Sequence, residues 1–237
     1  MNMSQQIPLA FDFKANHTFA DFFSGPNQEI VDYLQHCVNG GSELYIYLSG
    51  NAGSGKSHLL QACCHYAQHL GLRPFYFDLT TASNPDPDIL NGIERCEIVC
   101  LDNLEVIADN SDWEYAFFNF FNLHRDHGHK LITAASCPPS MLKIQLPDLQ
   151  TRINWGLTLR LKALSDQDRI EALILKAHQL GFDLAPQLGR FLVCRYDRDP
   201  QALWRMLDKI NLASLAAKRK LTLPFLKQVL GQEVHDA

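Results

Sequence analysis

The run Gly50-Asn51-Ala52-Gly53-Ser54-Gly55-Lys56-Ser57 has the spacing G-x-x-x-x-G-K-[ST], and residues of these types in this order hold phosphate. The glycines let successive backbone N–H groups curl around phosphate oxygens, and a helix opening at Lys56 adds the positive end of its dipole. Lys56 then reaches the β- and γ-phosphates, the Ser57 hydroxyl sits on Mg²⁺, and His58 follows in the first turn. A second candidate is Asp102, which ends the apolar run Ile98-Val99-Cys100-Leu101 and can complete the Mg²⁺ shell. The next residue is Asn103, an amide that can hydrogen-bond but cannot take a proton from water. Hydrolysis of the protein's own nucleotide should therefore be slow, or should rely on Glu105, which is less well placed. Ser136, just after the run Leu131–Ala135, is a candidate γ-phosphate contact or a plain strand-end serine.

Such a loop works only where a strand delivers it and a helix receives it. Short apolar runs at Leu44–Ser49, Phe75–Leu79, Ile98–Leu101, Leu131–Ala135 and Leu157–Leu161 read as five strands. Helical patterns fit Gln28–Cys37, Lys56–Leu70, Trp113–His124 and the stretch Leu146–Ile153. Alternation of this kind predicts an α/β base with a mostly parallel five-stranded sheet. After Leu161 the strands stop. Ser165 can cap a helix Asp166–Leu180 that stops at Gly181, and helices follow at Pro186–Arg195, Pro200–Ala217 and Pro224–Leu230. The expected organisation is a tail over 1–16, a nucleotide-binding base over 17–161 and a small all-α lid over 162–237. The run Asn84-Pro85-Asp86-Pro87-Asp88 reads as a rigid surface turn.

Composition excludes several classes. A 46% hydrophobic and 20% charged chain of 237 residues is globular, and its net charge of −5 argues against strong direct DNA binding. The cysteines (Cys37, Cys63, Cys64, Cys96, Cys100, Cys137 and Cys194) are odd in number and lack zinc spacing, so buried reduced thiols are expected. No apolar run is long enough for a membrane span and no signal peptide is evident, which points to a cytoplasmic protein. His124-x-x-His127-x-His129 reads as a solvated loop rather than a metal site. Trp113, Tyr115, Phe117, Phe118, Phe120 and Phe121 fall mainly on helical core spacing.

Several segments together resemble the Hda family, DnaA-homologous regulators of the AAA+ class. They are Thr18-Phe19-Ala-Asp-Phe22-Phe23, the phosphate loop, Cys100-Leu-Asp102-Asn103-Leu, Pro147-Asp-Leu-Gln-Thr-Arg152-Ile-Asn-Trp155-Gly and Arg219-Lys-Leu-Thr-Leu-Pro224-Phe. The resemblance implies an AAA+ P-loop NTPase fold and bound ADP or ATP, with Phe22 and Phe23 added to the nucleotide contacts. It implies two partners, the beta sliding clamp of DNA polymerase III loaded on DNA, and ATP-bound DnaA. Gln6-Ile7-Pro8-Leu9-Ala10-Phe11 is similar to a clamp-binding hexapeptide, in which Gln6, Ile7, Leu9 and Phe11 make the contacts. Arg152 stands where AAA+ proteins present an arginine finger to a neighbour's γ-phosphate; the alternative is a surface arginine paired to Asp148. Gln201 occupies the lid position where relatives carry an arginine, and Arg205, one turn later, could substitute. Where the family carries an acidic residue, this chain has Ser136. A homo-oligomer is left open.

The leading expectation is a negative regulator of chromosomal replication initiation, nucleoid-associated through the clamp, that speeds hydrolysis of ATP on DnaA. The alternative is a stand-alone AAA+ ATPase acting as a helicase loader, which would need the efficient hydrolysis that Asn103 argues against. The initiator itself is not expected, because little chain follows residue 230 to form a DNA-reading domain.

Overall fold

The computed structural model describes residues 17–81, 86–196, 200–217 and 221–231. Five short segments rich in β-branched and aromatic residues form strands: β1 Tyr45–Ser49, β2 Pro74–Asp78, β3 Ile98–Asp102, β4 Lys130–Ala135 and β5 Leu157–Arg160. They pair in the order β2-β3-β4-β1-β5, all parallel. Between them run α1 Gln28–Val38, α2 Lys56–His69, α3 Ser111–Asp126 and α4 Pro147–Trp155.

The central strands are buried on both faces, and period-2 alternation assigns each side chain to one of two cores. Tyr45, Tyr47, Val99, Leu101 and Leu131 point to the side where α3 packs Phe117, Phe120 and Phe121. Ile46, Leu48, Ile98, Cys100 and Ile132 point to the other, against Val31 and Leu34 of α1 and Leu59, Leu60 and Cys63 of α2. Each large apolar side chain so buried contributes about 1.5–3 kcal/mol, which fixes the register of the strand ends that carry chemistry. On α3 the expected core spacing holds for Trp113, Phe117, Phe120 and Phe121; Phe118 is half-buried and Tyr115 is exposed.

The chain divides into two compact units. The first holds the sheet. The second comprises Phe23–Gln28, Ala52–Ser54 and the chain from Lys162 onward. Its helices are α5 Asp166–Gln179, α6 Pro186–Arg195, α7 Pro200–Ala217 and α8 Leu223–Gly231, packed around Leu173, Leu192, Leu207, Ile210 and Leu226. The Ser165 cap is a full capping box: its hydroxyl accepts from Asp168 N–H at 3.1 Å, and the Asp168 carboxylate accepts from Ser165 N–H at 2.8 Å.

Differences from the sequence reading are local. Asp102 pairs in register with Asp78 and so belongs to β3, while Leu161 leaves β5 after its N–H donates to the Ser49 carbonyl at 2.8 Å. Short 3-10 turns at Gly25–Asn27, Pro87–Leu90, Ile93–Arg95, Leu104–Ile107 and Pro139–Met141 carry too little periodicity to be read from sequence. The expected surface turn at Asn84–Asp88 lies partly outside the described residues; its described part is the Asp86 cap on the Pro87–Leu90 turn. All seven cysteines are free, but only Cys37, Cys63, Cys64 and Cys100 are buried; Cys96 and Cys137 are half-buried and Cys194 is exposed. Among the described residues no helix is long and apolar enough to cross a membrane.

Candidate functional site

The loop leaves β1 at Gly50, whose N–H donates to the Ala135 carbonyl at 3.3 Å, so its start is tied to the end of β4. Gly53 at φ 72° and Gly55 at φ 96° turn the backbone through the left-handed region before α2 begins at Lys56. Gly55 has a second reason to be glycine: an added Cβ would stand 2.5 Å from the Phe22 ring. Phe22 packs its ring against His58, at 5.3 Å between centroids, and His58 Nε2 bonds the Thr18 carbonyl at 2.8 Å. The segment from Thr18 to Phe22 is thereby fastened to the first turn of α2. Phe23 belongs to the second unit, beside Gly25.

Lys56 is 8% exposed, and its ammonium donates to the carbonyls of Gly50 at 2.7 Å and Asn51 at 3.1 Å. Burial pulls its pKa down, while Asp102 and Glu105 pull the other way. A buried ammonium held by loop carbonyls is a charge waiting for a stronger anion. Among the described residues Ser54 Oγ is buried with no hydrogen-bond partner, as a hydroxyl in a phosphate cradle would be.

Asp102 is fully buried, and burial raises its carboxyl pKa. It is hydrogen-bonded to the Ser57 side chain, and it accepts from Asn103 N–H at 3.0 Å and from the Tyr76 hydroxyl at 3.2 Å. Ser57 and Asp102 are therefore together, and a hydroxyl beside a carboxylate suits a hard cation that keeps most of its water. The donor set fits Mg²⁺. Among the described residues no group of three or more His, Cys, Asp or Glu could hold a metal, the trio His124, His127 and His129 included.

That trio is not a solvated loop either. His124 lies in the last turn of α3, 1% exposed, with Nε2 bonded to the Cys96 carbonyl at 3.1 Å, and only His127 and Gly128 beyond the helix are exposed. Burial lowers the His124 pKa to about 4.

Asn103 adopts φ 57° and donates its side-chain amide to Asp78 Oδ1 at 2.7 Å. The 3-10 turn that follows swings Glu105 across to β4, where its carboxylate accepts from Ser136 N–H at 3.1 Å while Oε2 is buried without a partner. Glu105 is thus held against the end of β4, where its charge raises the Lys56 pKa against the lowering by burial. The Ser136 side chain is exposed.

Arg152 lies on α4, half-buried, with its guanidinium 4.1 Å from the centre of the Trp155 ring. Among the described residues no ion pair joins it to Asp148 or to any other carboxylate. The helix is held at its start by a residue that sequence reasoning missed. Glu114 of α3, 1% exposed, accepts from Gln145 N–H at 2.9 Å and Leu146 N–H at 2.7 Å. Leu146 is the N-cap of α4 and has no capping side chain, so Glu114 supplies the anion there.

Arg205 is exposed on α7. Gln201 lies one turn earlier on the same helix, but its side chain is outside the described residues, as are Gln6, Ile7, Leu9 and Phe11 of the tail.

Residues 166–230 match the family described as "Hda, lid domain". Among solved structures the chain is similar to domain III of the Thermotoga maritima replication initiation protein DnaA, with a TM-score of 0.80 at 18% identity, covering 94% of this chain and 99% of that one. AMPPCP-bound DnaA from Aquifex aeolicus matches with a TM-score of 0.73 at 18% identity, over 94% of this chain and 71% of that one. The Thermotoga maritima RuvB Holliday junction branch migration motor matches at 0.67 and 13% identity, over 91% and 73%. These likenesses establish the AAA+ fold.

Proposed function

We propose that this chain, similar to Hda in its lid and to DnaA in its fold, binds ADP or ATP with Mg²⁺ and acts as a regulator of replication initiation, promoting hydrolysis of ATP held by DnaA. In this reading the N–H groups of the loop from Gly50 to Gly55 receive the phosphates, and Lys56 exchanges its loop carbonyls for their charge. Ser57 and Asp102 would hold Mg²⁺, whose charge would neutralise the phosphates. Phe22 and His58 lie alongside, and Ser136 is a further candidate contact. The protein's own site is weak in hydrolysis because Asn103 uses its amide on Asp78.

The observation that carries the trans reading is the Arg152 guanidinium, which is restrained on the Trp155 ring and, among the described residues, has no carboxylate to neutralise it. A guanidinium in that state can donate to a neighbouring molecule's γ-phosphate, a contribution of several orders of magnitude in rate where it completes the transition-state charge. The tail residues Gln6, Ile7, Leu9 and Phe11 dock the protein on the beta sliding clamp, which sets its location at the nucleoid.

The test is phosphate release from ATP-loaded DnaA with clamp, DNA and this protein. R152A should bind nucleotide and clamp like the parent yet fail to stimulate, and R152K should fail nearly as badly because an ammonium lacks the planar fork of donors. Parent-like stimulation by R152A overturns the trans mechanism. Parent-like clamp capture by a Q6A/F11A double variant overturns the docking.

A further inference from the structure

Trp155 is 57% exposed, unusual for an indole in a base domain that buries its other described tryptophan, Trp113, to 3%. Its ring is not sealed by apolar packing. It forms one wall of a cleft of about 210 Å³ that also involves Tyr45, Phe121, His124, Arg125 and His129. What covers the ring is charge: the Arg152 guanidinium at 4.1 Å and the Arg125 guanidinium at 5.2 Å from its centre. Arg152 and Trp155 are three residues apart on α4 and so share a face, while Arg125 comes from the last turn of α3.

A cation can be held in place in two ways. A carboxylate would fix the guanidinium but consume its N–H donors and cancel its charge. An aromatic face fixes it through the ring quadrupole and leaves all five donors unused. Arg152 has the second arrangement without the first. Two guanidiniums on one ring also repel each other, so the spot has a net pull on a polyanion that a single ion-paired arginine would lack.

From this geometry we infer that Trp155 is a positioning residue for Arg152: it holds the guanidinium outward with its donors unspent, and Arg125 on the same ring strengthens the field an incoming phosphate meets. This rests on the trans reading of Arg152 given above. Because the ring is exposed, removing it leaves the core intact, and the loss should fall on the rate rather than on the fold.

The experiment is a titration of ATP-loaded DnaA, with clamp and DNA present, by full-length W155A, W155F, W155L and R152A variants and the W155A/R152A double variant, reading both the maximal stimulated rate and the half-saturating concentration. W155A should lower the maximal rate about tenfold or more, as expected when a catalytic group is misplaced by around an ångström, with half-saturation within about twofold of the parent. W155F should recover most of the rate, because it keeps an aromatic face. W155L, apolar but without one, should not. W155A should add nothing in the R152A background, since the two act as a unit. A parent-like maximal rate in W155A, equal recovery by W155L, or a change confined to half-saturation overturns the positioning role. If R152A itself stimulates like the parent, the trans reading has failed and this inference falls with it; if only W155A is parent-like, the trans reading stands and the positioning role alone is lost.

Discussion

The Asn103 amide donates to Asp78 Oδ1 at 2.7 Å, while its backbone N–H donates to Asp102 Oδ1 at 3.0 Å, so one residue in the left-handed conformation braces the carboxylates that end β2 and β3. On the proposed reading, the residue that would otherwise serve hydrolysis acts here as a strut. N103D should place like charges against each other and cost about 1–2 kcal/mol of stability, read as a lower urea midpoint. A parent-like midpoint would show that the amide bears no load. The parent, freed of contaminating ATPases, should release phosphate at close to background; brisk turnover would return the protein to the stand-alone ATPase reading.

Nucleotide affinity should depend on Lys56. In K56A the loop carbonyls of Gly50 and Asn51 lose their donor and the phosphates lose a buried counter-charge. Charge-assisted hydrogen bonds of this kind contribute about 1.5–3 kcal/mol, so calorimetry should show affinity for Mg²⁺-ADP reduced by roughly 10- to 100-fold. Unchanged affinity would remove the phosphate site from Gly50–Ser57.

Glu114 should govern the helix that carries Arg152. E114A leaves the N–H groups of Gln145, which is exposed, and Leu146, which is half-buried, without their acceptor, at a cost of about 1–3 kcal/mol. E114Q keeps one acceptor and should lose less. Thermal unfolding orders the three proteins, and stimulation of DnaA should fall in the same order. If E114A melts with the parent, the start of α4 is held by something else.

Acid should destabilise the protein in a window set by His124. Its folded pKa of about 4 lies below the ordinary value of 6.5, so the folded state binds fewer protons than the unfolded one. The stability gained by keeping it neutral is full above about pH 6.5 and is lost as pH falls toward 4, with about 3 kcal/mol at stake. Glu97, held to about 2 by the Arg73 guanidinium, loses its contribution only at lower pH, so the windows separate. H124Q keeps a donor for the Cys96 carbonyl and cannot titrate. Urea midpoints between pH 7 and 4.5 should therefore slope less in H124Q than in the parent; equal slopes would assign the acid sensitivity elsewhere.

How much of this was legible in the sequence depends on how far each feature reaches along the chain. The glycine-rich loop Gly50–Ser57 is contiguous, so its residue types and spacing are legible without the fold. Strand and helix positions followed because burial imprints a period of 2 or 3.6 on neighbouring residues, and the Ser165 capping box spans only the four residues from Ser165 to Asp168. Asp102 could be read because a strand's polar end stands out against its apolar run. The pairings that give these residues their character lie 25 residues apart for Asn103 and Asp78 and 32 for Glu114 and Leu146, and no local pattern records them. The strand order β2-β3-β4-β1-β5 sets Asp78 beside Asp102, and the packing of α3 on α4 brings Glu114 to Leu146 and Arg125 to the Trp155 ring. The sequence by itself determined that a glycine-rich loop joins β1 to α2 and roughly where the sheet would run. Only the tertiary structure decided that Asn103 is braced on a carboxylate, that His124 is buried, and that Arg152 is held by an aromatic face instead of Asp148, because those outcomes depend on which distant surfaces meet when the two sides of the sheet are covered.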